Sequence, residues 1–217
     1  MKNFNFLLLI LIGSLLASCK GGPKLMPNIS GKAGEIVVVI SKGDWESDPG
    51  IAIRSVLAQE HPYLPQREPL FTLINIPENA FSNIFQIHRN IIIVHTGVNV
   101  KEPTIAYQEN VWAAPQTVVT ISTANAKDAA DLINRESDKL INVFLQAERN
   151  RNIANAKKYE ERGLRDVVTA TFGGSPYFPK GYTLKKKTDD FIWISYETTY
   201  TIQGVFIYKY PFRDSSD

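Results

Sequence analysis

Three carboxylates at alternate positions, Asp44, Glu46 and Asp48, follow the apolar run Glu35–Ile40 and stand where ligand-binding loops of α/β sheets often lie. Two acidic side chains at a suitable separation can cleave a glycosidic bond, one protonating the leaving oxygen while the other acts as nucleophile or base. That chemistry needs a cleft in which one acid has a raised pKa. The competing reading is a solvated loop whose charge suits the start of a helix.

Other chemistry is sparse. His61, His88 and His95 are too few and too separated for a recognisable zinc site, and no His-Glu-x-x-His or Cys/His cluster occurs, so no metal and no cofactor is expected. Gly31-Lys-Ala-Gly34 has the look of a phosphate loop, but it precedes a strand and lacks the Gly-Lys-Ser/Thr ending. Gly173-Gly174-Ser175 follows a helix and is trailed by Pro176, so it reads as a turn rather than a nucleophile elbow. Near the C-terminus, Phe206, Tyr208 and Tyr210 fall on one side of a strand and Val205 and Ile207 on the other. An aromatic ladder of this kind can stack on glycans; the more common use is packing against a helix or another sheet, and that is the expectation here.

Cys19 is the only cysteine among the 217 residues, which excludes an internal disulfide and a thiol nucleophile elsewhere. It follows Lys2, an apolar run from Phe4 to Leu16, and the small residues Ala17 and Ser18. The run is too short for a bilayer, which needs about 20 apolar residues, and reads instead as the core of a secretory signal over residues 1–18. Leu16-Ala17-Ser18-Cys19 resembles a bacterial lipobox, which implies cleavage before Cys19 and lipidation of its thiol. Three acyl chains there exceed the two signals that stable anchoring needs. Residues 19–30, beginning Lys20-Gly21-Gly22-Pro23-Lys24, are then a flexible tether.

The elements that must position any site follow. A composition of 44% hydrophobic and 21% charged residues is globular and excludes disorder and collagen-like repeats. Twenty-four Lys+Arg against 22 Asp+Glu, scattered along the chain, argue against nucleic acid as a partner. Strands are expected at Glu35–Ile40, Phe71–Ile76, Ile91–His95, Ile105–Val111 and Thr117–Ser122. Helical stretches fall between Asp48 and Pro62, where Ile51, Val56 and Leu57 share a face, and at Ala80–Gln86. Asn125 to Arg162 contains no Gly or Pro and reads as one long helix, capped by Asn125 and stopped by Gly163. Its first half carries the stripe Ala126, Ala130, Ile133, Leu140, Phe144, Ala147. Its second half, with Arg149, Arg151 and Lys157, projects into solvent or rests on a partner. A helix over Leu164–Phe172 and a hairpin of Phe191–Thr198 with Thr201–Tyr210 end the chain. The fold class is α+β: a mainly antiparallel sheet with helices on one face, a parallel pair allowed at the start, one long helix and a C-terminal aromatic hairpin. Residues 31–217 are read as a single domain.

With those landmarks, nearly the whole chain after Cys19 is similar to an uncharacterised family of Bacteroidota lipoproteins, domain of unknown function 4837. The stretches that carry the resemblance are Leu25 to Glu35, Leu64 to Phe71, His88-Arg-Asn-Ile91, Val111-Trp-Ala113 with Pro115-Gln116, Ala147-Glu-Arg149, and Pro179-Lys-Gly-Tyr182. The resemblance implies lipidation and an envelope location but assigns no catalytic residue. Family members look longer, so this chain is read as truncated, leaving the hairpin with an unpaired edge or an uncovered aromatic face that favours association. Acidic residues do not follow Lys20, as they tend to in surface-exported lipoproteins of this phylum. The expected location is therefore the outer membrane facing the periplasm, with the cell surface as the alternative. Three functions compete. One is a non-enzymatic module binding an envelope protein or glycan through the charged helix end or the aromatic hairpin. The second is the carboxylate-dependent hydrolase of envelope glycans. The third is a carrier of a lipid or small apolar molecule, which needs an internal cavity.

Overall fold

The computed structural model describes residues 25–62 and 64–213. The signal segment, Cys19 and the tether up to Lys24 lie outside the described residues. Contacts divide the described residues into two compact units, one within 25–50 and 72–129, the other within 51–71 and 130–213. Among the described residues no helix is long and apolar enough to cross a membrane.

The first unit is a five-stranded sheet built from β1 (Glu35–Val39), β2 (Thr72–Ile76), β3 (Asn90–Thr96), β4 (Thr104–Glu109) and β5 (Thr117–Thr123), in the order β2-β1-β3-β5-β4. Strand β1 runs parallel to β2 and β3, and β3 parallel to β5; only the edge strand β4 is antiparallel. The α+β class and the parallel opening pair hold. In this sheet, however, parallel pairing dominates where a mainly antiparallel one is expected. The reason is that Ile36–Ile40 and Ile91–Val94 are buried at every position. A strand buried on both faces shows no alternation, and side-chain pattern carries no direction. On one face Val37, Val39, Ile76, Ile91, Ile93 and Val118 pack with Phe81, Phe85, Val111 and Trp112. The rings of Phe81 and Trp112 meet edge to face at 5.3 Å. Phe81 follows a 3-10 turn (Glu78–Ala80), and Phe85 sits on the four-residue helix α3 (Asn83–Gln86). Two more helices begin here: α1 (Lys42–Trp45), and α2 (Asp48–Leu57), whose Ile51 is exposed while Ile53, Val56 and Leu57 are buried.

At the amino ends of β1, β3 and β5 lies a buried polar network. Glu35 accepts a hydrogen bond from the Lys32 N–H at 2.7 Å and has His88 Nε2 at 3.4 Å, and Asn90 Nδ2 donates to the Glu35 carbonyl at 2.9 Å. The tether's last residues are tied in beside it: the Ser30 N–H donates to the Ile87 carbonyl at 2.8 Å and the Ala114 N–H to that of Pro27 at 3.0 Å. The Lys32 N–H, with His88 beside it, holds the Glu35 carboxyl below the ordinary carboxylate range against the opposing effect of burial. A carboxyl with a lowered folded pKa contributes stability above its unfolded pKa of about 4.3, and that contribution is lost as pH falls through the folded value. Glu35→Gln is therefore expected to flatten the acid limb of the stability curve below pH ~4.3. Urea midpoints measured across that range check this; parallel acid limbs for variant and wild type would refute it.

The remaining helices fall in the second unit from Ala130 on. Asn125 caps α4 (Ala126–Arg135), its Oδ1 accepting from the Asp128 N–H at 2.9 Å. The single helix expected over Asn125–Arg162 is instead two, α4 and α5 (Ser137–Lys158), and the helix expected over Leu164–Phe172 is α6 (Arg162–Phe172). Glu136 leaves helical geometry at ψ 14° without a Gly or Pro to announce it. Gly163 lies inside the first turn of α6, and the stop is Gly173, at φ 81°, whose N–H bonds the Thr169 carbonyl at 2.8 Å. A left-handed residue after the last turn is where glycine costs least. Phe144 on α5 meets Phe71 edge to face at 6.1 Å, both fully buried. Strands β6 (Thr183–Lys187), β7 (Phe191–Glu197) and β8 (Ile202–Tyr208) form an antiparallel sheet in that order. Leu164 and Val168 of α6 pack on Ile192, Ile194, Val205 and Ile207 of this sheet. Each such side chain contributes about 1.5–3 kcal/mol when fully buried.

Candidate functional site

The packing of α6 decides what the C-terminal sheet shows to solvent. Strand register pairs Phe191 with Tyr208, Trp193 with Phe206 and Glu197 with Ile202, and places Ile192, Ile194, Val205 and Ile207 on the opposite face. Because α6 covers the aliphatic side, the aromatic ladder expected to pack inward is left outward. On β8, Ile202, Phe206 and Tyr208 are 73%, 58% and 64% exposed, and Tyr200 in the turn before it and Tyr210 and Phe212 past its end are exposed by 96%, 64% and 76%. Phe206 lies 6.0 Å from Phe191 and 5.9 Å from Trp193, and Tyr208 lies 6.1 Å from Tyr210, ring centre to ring centre. Phe191 and Trp193 join the face though the hairpin reading singled out neither. The same period of two along Phe191–Glu197 carries that signal.

This face has a charged border. Lys186 pairs in register with Trp193 on the neighbouring strand. Glu197 accepts from the Ser195 hydroxyl at 2.6 Å and meets Lys185 at 3.1 Å. The Ser195 hydroxyl first, and then Lys185, hold the Glu197 carboxyl below its ordinary value. Rings that present apolar surface beside fixed polar groups suit a sugar face or an aromatic-rich protein surface.

The carboxylates after β1 are held separately. Asp44 Oδ2 accepts from Ser41 Oγ at 2.9 Å and from Thr96 Oγ1 at 2.7 Å, fastening the loop after β1 to the carboxyl end of β3. That is the switch point of the sheet, where the chain leaves β1 toward β2 on one side and β3 on the other. Glu46 lies 3.9 Å from Lys42 on the surface, and Asp48 stands in the first turn of α2. Each thus has a separate setting. His95 meets Glu78 at 2.9 Å in solvent, and His88 belongs to the Glu35 network. Among the described residues no group of three or more His, Cys, Asp or Glu could hold a metal ion.

The basic residues of α5 also part company. Arg149 is exposed, Arg151 forms a largely buried pair with Glu148 at 3.0 Å, and Lys157 lies 5.3 Å from the Tyr177 ring, which Arg165 approaches as well at 5.4 Å. Cys19 is outside the described residues.

A family model, Domain of unknown function (DUF8532), matches residues 29–157. Neither the curated proteins nor the solved structures contain a match.

Proposed function

This chain belongs to the DUF8532 family, whose function is unknown, and from that premise we propose a lipid-anchored envelope protein that acts as a non-enzymatic binding module. The lipobox-like Leu16–Cys19, and the likeness to the Bacteroidota lipoproteins of domain of unknown function 4837, support an anchor on Cys19 and a place in the outer membrane facing the periplasm. The observation that carries the binding role is the outward aromatic row of β8. Soluble monomers rarely expose a contiguous apolar patch of this kind unless it contacts something. The hydrolase reading has less support, because Asp44 is engaged by Ser41 and Thr96 and stands apart in its bonding from Glu46 and Asp48.

The experiment is capture from detergent-solubilised envelopes with the full-length chain, run beside Phe206→Ala/Tyr208→Ala/Tyr210→Ala and Cys19→Ala. The wild type is expected to retain an envelope protein or glycan that the triple variant loses at least tenfold, while Cys19→Ala alone leaves the membrane fraction. Equal capture by wild type and triple variant would overturn the aromatic surface. A Cys19→Ala protein that stays with the membranes would overturn the anchor.

A further inference from the structure

The two edges of the β6–β8 sheet are built differently. Strand β6 carries Lys185, Lys186 and Lys187 in succession and shifts register between Leu184 and Lys186. Charged side chains and bulges are the devices by which sheets keep an edge from pairing. Strand β8 has neither. It runs seven residues in unbroken register with β7, without a proline, and no charged residue occurs from Thr198 to Tyr208. Among the described residues only β7 pairs with it.

We propose that β8 is a strand-addition edge and that its partner is β8 of a second copy of this chain, antiparallel about a two-fold axis through Val205. This goes beyond the binding role and does not depend on it. Charge selects the edge. Pairing two copies through β6 would set lysines against lysines, which is repulsive, whereas the uncharged stretch of β8 meets only itself. Shape selects the register. Along the outward row Ile202, Gly204, Phe206, Tyr208, the one position without a side chain is Gly204. A Cβ there would lie 3.5 Å from the Phe206 ring and 3.7 Å from Trp193 Nε1, so the glycine opens a notch walled by aromatic groups. An axis through Val205 brings Phe206 of each copy opposite Gly204 of the other, an arrangement in which a ring covers a strand glycine. It also sets Tyr208 against Ile202, apolar on aromatic. The interface is isologous and closes at two copies. It joins the two aromatic rows into one face twice as wide.

The test is sedimentation equilibrium of the full-length chain in density-matched detergent, for wild type and two double variants. In this register residue 202 faces residue 208 of the other copy. Ile202→Lys/Tyr208→Lys therefore sets lysine against lysine twice, while Ile202→Lys/Tyr208→Glu makes two opposite-charge pairs from nearly the same surface. A dimer is expected for the wild type, weakened roughly tenfold or more in the first variant and retained in the second. Val205→Cys should cross-link to itself on oxidation, since residues facing each other across an antiparallel pair fall within disulfide reach, and Ile207→Cys, which faces Gln203, should not. A monomeric wild type, equal masses for the two double variants, or equal cross-linking of the two cysteine variants would overturn the proposal. A monomer that still loses its envelope partner in the triple aromatic variant would overturn the dimer alone and leave the binding role standing.

Discussion

Gly31→Ala is expected to destabilise the first unit by about 3 kcal/mol or more, the sum of a left-handed backbone and a side-chain overlap. Gly31 sits at φ 86°, and a Cβ built there falls inside the His88 imidazole. The ring has nowhere to go. It is 6% exposed, with Nδ1 3.3 Å from the Asn90 carbonyl and Nε2 3.4 Å from Glu35. Gly34 provides the comparison, because it has φ 77° but nothing within 4 Å of its Cβ position. Gly34→Ala should cost only the backbone strain, about 1–2 kcal/mol. Urea midpoints of the two variants separate the effects, and equal losses would show that the His88 contact carries no weight.

The same pair shows why sequence reading stops where it does. Gly31-Lys-Ala-Gly34 is legible as a turn before β1, and rejecting it as a phosphate loop agrees with its place at the amino end of the strand. The ring that fills the space over Gly31 comes from a residue 57 positions later, and no local pattern announces it. The strands that hold buried β-branched runs, β1, β3 and β5, are readable from composition. Their mutual order and direction are not, because a run buried on both faces has no polar side to orient. Strand β6 is hidden for the opposite reason: Thr-Leu-Lys-Lys-Lys, exposed throughout, is a strand only because β7 offers it hydrogen bonds. The break at Glu136 lacks a glycine or proline, whereas the true stop at Gly173 has one. Which glycine ends a helix depends on where packing stops, and Leu164 and Val168 continue the buried stripe past Gly163.

For the aromatic ladder, period-two parity is correct and burial is reversed. Parity follows from strand geometry alone. Burial depends on which side α6 covers, and that is decided by the aliphatic set Ile192, Ile194, Val205 and Ile207, whose branched side chains mesh with Leu164 and Val168. Once that side is taken, the larger rings must face outward.

Gln116→Leu should be as damaging as Gly31→Ala, for a different physical reason. Gln116 is 2% exposed, and its side chain ties three backbone groups from two separate segments. Nε2 donates to the carbonyls of Gln86 at 2.6 Å and His88 at 2.7 Å, and Oε1 accepts from the Trp112 N–H at 3.0 Å. Leucine has nearly the same volume, so no cavity opens; what changes is that these three groups, one buried and two half-buried, lose their partner. At roughly 1–3 kcal/mol for each buried group left unsatisfied, the loss should be about 4 kcal/mol, a large share of the 5–15 kcal/mol of a typical domain. Gln146→Leu, on an exposed position of α5, should change stability by less than ~0.5 kcal/mol. Hydrogen exchange at the Trp112 amide gives a local readout, since that N–H should lose protection in Gln116→Leu before the amides of β5 do. A loss below ~1 kcal/mol with Trp112 still protected would mean that the Gln116 amide is replaceable. The segments around His88 and Trp112 would then be held by the packing of Phe81, Phe85 and Trp112 on the sheet, and not by polar bonds at its amino end.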